Sequence, residues 1–135
     1  MGVRELKNSN MSGGRLSNYE FGEQFKTRTK SYGLRVIKLF QALPKDAEAQ
    51  VLGKQLLRAA TSVAANYRAA CRGRSKAEFA AKVGIALEEA DESLFWLEML
   101  EESGIIKPIL LAALKQEADE LTAILTIVRR NAAKK

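Results

Sequence analysis

The sequence predicts an all-α protein, an antiparallel up-down-up-down four-helix bundle, and three observations carry that prediction. Apolar residues recur at three- and four-residue steps through four long segments, the periodicity of helices that bury one face. Pro44, Gly73 with Ser75, and Gly104 with Pro108 break the chain at fairly even intervals, so the connections are short and sequential helices become antiparallel neighbours. No segment shows the alternating apolar pattern of a half-buried strand, so no sheet is expected.

Residues 1–20, rich in Gly, Ser and Asn, read as a flexible N-terminal tail ahead of a bundle domain spanning 21–135. A first helix is predicted from Phe25 to Leu43, with Tyr32, Val36, Ile37, Leu39, Phe40 and Leu43 as its stripe; Gly33 weakens it locally and Pro44 closes it. Asp46 is placed to cap a second helix running from about Ala47 to Arg72. Its seam is Leu52, Leu56, Ala59, Val63, Asn66 and Ala70, in steps of four, three, four, three and four. Gly73 is expected to take a left-handed backbone after it. Ser75-Lys76-Ala77-Glu78 then has the S-x-x-E pattern of a capping box, and Phe79 opens the third stripe: Val83, Ala86, Leu87, Ala90, Leu94, Leu97 and Leu100. This helix should end near Gly104. Pro108 suits the first turn of a fourth helix carrying Leu110, Leu114, Leu121, Ile124, Leu125 and Val128, after which "RRNAAKK" is expected to fray.

The chain of 135 residues is about the length of one domain, and its 47% hydrophobic and 28% charged residues have the balance of a soluble globular protein. Its apolar runs are too short to span a bilayer, and "MGVRELKNSNMSGG" lacks the apolar core of a secretory signal. A single cysteine, Cys71, excludes an internal disulfide and any multi-cysteine zinc site, and it reads as packed or incidental rather than reactive. Together these features predict a cytoplasmic protein with no membrane partner. Histidine is absent, which removes the commonest general base near neutral pH and the commonest metal ligand. No catalytic set, metal site or cofactor is predicted. Ser62 and Asn66, four residues apart near the seam, are expected to exchange hydrogen bonds with a neighbouring helix.

Charge is unevenly spread. The net charge is +6, but residues 26–82 hold thirteen Lys or Arg against three acids, whereas residues 83–135 hold ten acids against six bases. Such asymmetry fits nucleic-acid contact by the front half, and it equally fits basic and acidic helices paired within or between subunits. Lys54, Arg58, Arg68 and Arg72 fall on one stripe of the second helix, roughly 27 Å long at 1.5 Å per residue. Folding the hairpin about Gly73 and Arg74 brings Arg58 level with Glu88 and Glu89, so Arg58, Glu88, Glu89 and Glu92 form a candidate structural ion pair cluster. Arg68, Arg72, Arg74 and Lys76, nearer the turn, stay available for phosphates, with Lys26, Arg28 and Lys30 as secondary candidates. Alanine pairs at 59–60, 64–65 and 69–70 distribute small side chains around the second helix. Either they supply helix propensity, or neighbours approach this helix on more than one side. In the second case Tyr67, Phe95, Trp96 and Met99 are the candidate subunit contact, since contiguous apolar residues at 94–97 cannot all face one seam.

The same residues carry a family resemblance. "GKQLLRAATSVAANYRAACRGRSKAEFAAKVGIALEEADESLFWLEML" (53–100), preceded by "RVIKLFQALP", resembles the 23S rRNA intervening-sequence proteins, and the likeness covers about 25–128. Where that family often has N-I-A-E-G, this chain has Asn66-Tyr67-Arg68-Ala69-Ala70, so no role attaches to the usual glutamate. The resemblance implies a small bacterial protein, a four-helix bundle assembled into a homopentameric ring, and a role in binding RNA or DNA. It supplies no residue-level active site. The sequence thus points to a non-enzymatic homo-oligomer with a nucleic-acid-binding basic surface; the alternative is a protein-interaction scaffold, docking an unidentified protein partner, whose arginines are neutralised by carboxylates.

Overall fold

A computed structural model describes residues 16–134, and among these it contains four helices and no strand: α1 (Asn18–Ala42), α2 (Ala47–Cys71), α3 (Lys76–Glu102) and α4 (Pro108–Ala133). Short connectors turn each helix back along the last. Each packs on its sequence neighbours, and α1 meets α4 along a shorter contact to close the bundle. The starts of α1 and α3 therefore share one end with the finishes of α2 and α4.

α1 begins inside the stretch assigned to the tail. Ser17 Oγ accepts the Glu20 N–H at 3.0 Å while Glu20 Oε1 accepts the Ser17 N–H at 2.9 Å, a reciprocal capping box that satisfies two donors at the helix start. Residues 18–20 are consequently helical, and the remainder of the predicted tail up to residue 15 lies outside the described residues. At the far end of the chain, α4 continues through "RRNAA" to Ala133 instead of fraying after Val128.

The α2–α3 turn is built differently from the sequence expectation. Arg72 caps α2 at φ −98°, and Gly73 does not take a positive φ; among the described residues only Gly104, just past the end of α3, does so, at φ +80°. Gly73 is required for room. A Cβ there would lie 3.0 Å from the Ala70 carbonyl oxygen and 3.3 Å from Glu78 Cβ. Ser75 Oγ accepts the Glu78 N–H at 3.0 Å, but the Glu78 carboxylate reaches past Ser75 to the Arg74 N–H at 3.1 Å. The box is thus shifted by one residue and ties the basic turn to α3.

The core is filled by Phe25, Tyr32 and Val36 of α1, Leu56, Val63 and Tyr67 of α2, Val83, Leu97 and Leu100 of α3, and Leu111, Leu121 and Leu125 of α4. On α2 the buried face is rotated from the predicted seam: Ala49, Gly53, Ala60 and Tyr67 are inside, while Leu52 and Asn66 sit at its edge. Ala59, Ala60 and Ala70 are buried within the chain itself, because α2 lies between α1 and α3 and both approach it. Small side chains keep those helix axes close. On α4, Leu111 and Ala118 are inside and the predicted Leu110 is 66% exposed.

One polar bridge crosses the core. The buried Tyr32 hydroxyl of α1 and Ser93 Oγ of α3 lie 2.8 Å apart, and Ser93 Oγ donates to the Ala90 carbonyl oxygen at 2.7 Å. With that hydrogen committed to Ala90, Tyr32 is the donor to Ser93, and both hydroxyls are satisfied; a stranded one would cost about 1–3 kcal/mol. Burial pushes the Tyr32 hydroxyl up to about 12.

Candidate nucleic-acid interface

Helix ends set the distribution of cations. Arg68 lies in the last turn of α2, where a positive charge is favoured by the carbonyl end of the helix, and Arg72 caps it. Arg74 and Lys76 sit at the start of α3, where the helix dipole disfavours a cation. All four side chains are exposed, and none makes an ion pair among the described residues.

The secondary candidates on α1 divide. Lys26 is half-buried and pairs with Glu23 at 2.6 Å, and Lys30 is exposed with no ion pair among the described residues. Arg28 is not a surface cation. Its Nε donates to Glu117 Oε2 at 2.8 Å, and its Nη2 donates to Glu117 Oε1 at 2.8 Å and to Glu120 Oε1 at 2.7 Å. The Arg28 and Glu117 side chains are only 12% and 13% exposed. This bidentate clamp joins α1 to α4, so Arg28 leaves the set of phosphate contacts and becomes structural.

Arg58 is also neutralised within the chain. It donates to Glu89 at 3.0 Å and makes a short contact with Glu92, joining α2 to α3. Glu88, predicted to share that cluster, is exposed and forms no ion pair among the described residues, because it lies on the outer side of α3. Glu92 Oε2 additionally accepts the Trp96 Nε1–H at 3.0 Å. That bond first, and Arg58 second, hold the Glu92 carboxyl below its ordinary value. Trp96 is the chain's one tryptophan, which makes it a reporter of this group. In an acid titration its emission is expected to change with a midpoint below the ordinary glutamate value of about 4.3, and Glu92→Gln should abolish the step. The sign follows from the lowered value: the stabilisation is present above the ordinary glutamate range and is lost as pH falls through the folded-state value. A midpoint at or above that range removes the bond from solution.

The candidate subunit contacts separate in the same way. Tyr67 is 1% exposed and packs edge-on to Phe25, with ring centroids 4.8 Å apart, so it belongs to the core and to no interface. Asn66 likewise turns inward on its own helix, donating to the Ser62 carbonyl oxygen at 2.9 Å instead of bridging to a neighbour. Phe95 and Met99 are 49% and 37% exposed, and Trp96 is half-buried against Phe95. Ile85, Glu88, Glu92, Phe95 and Met99 step by three, four, three and four along the outside of α3. The helix therefore carries a second, partly apolar stripe turned away from its own bundle.

At the end shared by the starts of α1 and α3, an open groove of about 1180 Å³ runs between helix termini. Lys26, Arg74 and Lys76 lie on it, together with Phe21, Phe79 and Val128. Cys71, exposed and free, stands on its wall. Among the described residues no group of three or more His, Cys, Asp or Glu side chains is arranged to hold a metal ion, and no helix is long and apolar enough to cross a membrane.

Residues 23–127, most of the bundle, match the family model for the 23S rRNA-intervening sequence protein. The chain belongs to that family. The 23S rRNA-intervening sequence protein family match includes every cation discussed above but stops short of the Ser17–Glu20 capping box and the last turns of α4. Among solved structures, the fold is similar to that of a protein of unknown function from the S23 ribosomal protein family of Bacteroides thetaiotaomicron VPI-5482. The two share 29% identity at a TM-score of 0.75, covering 81% of this chain and 97% of that one. No curated protein matches the chain significantly.

Sequence reasoning about this 23S rRNA-intervening sequence family member missed two features for different reasons. The Arg28 clamp joins residues 89 positions apart, and no local pattern announces it. The α1 cap had a signal, since Ser17-Asn18-Tyr19-Glu20 repeats the S-x-x-E pattern that marked Ser75–Glu78.

Proposed function

We propose that this protein is a non-enzymatic, cytoplasmic homo-oligomer, a ring joined through the outer stripe of α3, whose surface around the α2–α3 turn binds RNA or DNA. One observation carries the reading. Arg28 and Arg58 are neutralised by carboxylates of the same chain, whereas Arg68, Arg72, Arg74 and Lys76 are exposed at one end of the bundle and form no ion pair among the described residues. Two of these oppose the dipole of α3, an arrangement that becomes favourable once a polyanion sits against them. Phe95, Met99 and Ile85, exposed along the outer stripe of α3, supply the apolar part of a self-contact. The pentamer is the assembly that the sequence resemblance implies. Repetition of the basic end around such a ring converts a weak contact into avidity.

Arg28 and Arg58 themselves favour the alternative, a scaffold whose arginines serve the fold and whose partner is another protein. Light scattering with and without a mixed oligonucleotide pool separates the two. The expected result is a mass several times the 14.9 kDa of one chain, with oligonucleotide bound at low salt and released steeply as salt rises. A single-chain mass removes the ring. Absence of binding at low salt, or binding indifferent to salt, removes the nucleic-acid surface.

A further inference from the structure

We infer that the groove at the α1/α3-start end takes unpaired nucleotides, so that the nucleic acid this protein binds is a single strand. The inference rests on the nucleic-acid reading above and adds what that reading leaves open, the form of the strand. Cations alone would serve a duplex as well as a single strand, because both present phosphates. The groove offers more than cations. Tyr19, Phe21 and Phe79 line it beside the exposed cations Arg74 and Lys76, and Tyr19 is 75% exposed. Aromatic rings set among basic side chains are the means by which proteins hold single strands: the rings stack on bases and the cations follow the backbone. A duplex keeps its bases stacked on each other and has nothing to place against an apolar floor.

Three further details agree. Asn18 and Asn131, from opposite ends of the chain, both lie on the groove, and their amides offer donor and acceptor groups suited to the free edges of unpaired bases. Glu23 also lies there, but Lys26 holds its carboxylate at 2.6 Å, which offsets its repulsion of phosphate. At about 1180 Å³ the groove exceeds the roughly 300–1,000 Å³ of sites for single small ligands, as a stretch of several nucleotides requires.

The test is fluorescence anisotropy with labelled short oligouridylate and oligothymidylate, which separate RNA from DNA as the source, against a blunt duplex of equal length at the same salt. Single strands should bind at least about tenfold more tightly, and Tyr19→Ala should reduce their binding by about tenfold while leaving duplex binding unchanged. Phe79→Leu, which keeps an apolar side chain on the half-buried side of the groove, should act in the same direction. Photo-crosslinks from 4-thiouridine should fall on Tyr19, Phe21 or Phe79. Equal affinity for duplex and single strand, with Tyr19→Ala silent and crosslinks elsewhere, overturns the inference and leaves the basic surface standing. Loss of the crosslinks on self-association would assign the groove to a second copy of the chain and overturn it as well. If neither form binds, the nucleic-acid reading itself falls.

Discussion

Arg28→Ala is expected to destabilise the fold by about 2–3 kcal/mol, below the roughly 3–5 kcal/mol for breaking a fully buried ion pair because this one is partly open to solvent. The cause is the pair of carboxylates left behind. Glu117 is 13% exposed and Glu120 is 23% exposed at the side chain, and the guanidinium between them supplies three hydrogen bonds of 2.7–2.8 Å. Without it, two negative charges lie one turn apart on α4, only partly screened by water. Arg28→Lys should recover only part of the loss, because an ammonium cannot reproduce the two-pronged contact with Glu117. Combining Arg28→Met with Glu117→Gln and Glu120→Gln should recover most of it, since no charge is then stranded. Urea denaturation measures all of these as shifts of midpoint at constant slope. If Arg28→Ala unfolds like the parent and instead weakens oligonucleotide binding, Arg28 returns to the phosphate contacts that its place in the sequence suggested.

The second large effect concerns the four unpaired cations. Replacing Arg68, Arg72, Arg74 and Lys76 together by alanine should leave stability nearly unchanged, since their side chains are exposed and none closes an ion pair among the described residues. Binding should fall by roughly a thousandfold near 0.1 M salt, and the slope of log affinity against log salt should flatten by about three. Both numbers follow from the counterions that four phosphate contacts would release. The slope is the more telling readout, because a merely misfolded variant loses affinity without changing the number of ions released per molecule bound. An unaltered slope would place the phosphate contacts elsewhere, with exposed Lys30, Lys54 and Lys82 the next positions to test.

Local chemistry explains which parts of this molecule were legible in the sequence. Ser75 and Glu78, three residues apart, announce the start of α3, and Pro108 announces that of α4, because caps and first turns are decided by neighbours in the chain. The helical stripes of α1 and α3 were legible on the same grounds. Tyr67 was not. Its alanine-rich surroundings suggest an exposed aromatic, and only the approach of Phe25 from α1 makes a pocket for it. Gly73 departs from expectation for a related reason: a glycine after a helix suggests a left-handed turn, whereas this one is set by close approach of the Ala70 carbonyl oxygen and Glu78. The cations show the same divide. Arg58 could be aligned with Glu89 by folding a hairpin, but Arg28 meets its acids only through the closure of the first helix onto the last.

That closure gives α1 an unusual standing among the four helices. It rests broadly on α2, touches α4 along a short seam held by the Arg28 clamp, and crosses to α3 through the Tyr32–Ser93 bridge. The α2–α3–α4 portion is packed more continuously, so α1 is expected to lift first when the protein breathes. Opening it would break the Arg28 and Tyr32 contacts and expose Phe25, Tyr32 and Val36, while most of the α2–α3–α4 interior stays covered. A sub-global opening of that kind would cost less than complete melting and would hinge at the Pro44 corner, opposite the basic end; hydrogen exchange that protects α1 as long as α2–α4 would exclude it.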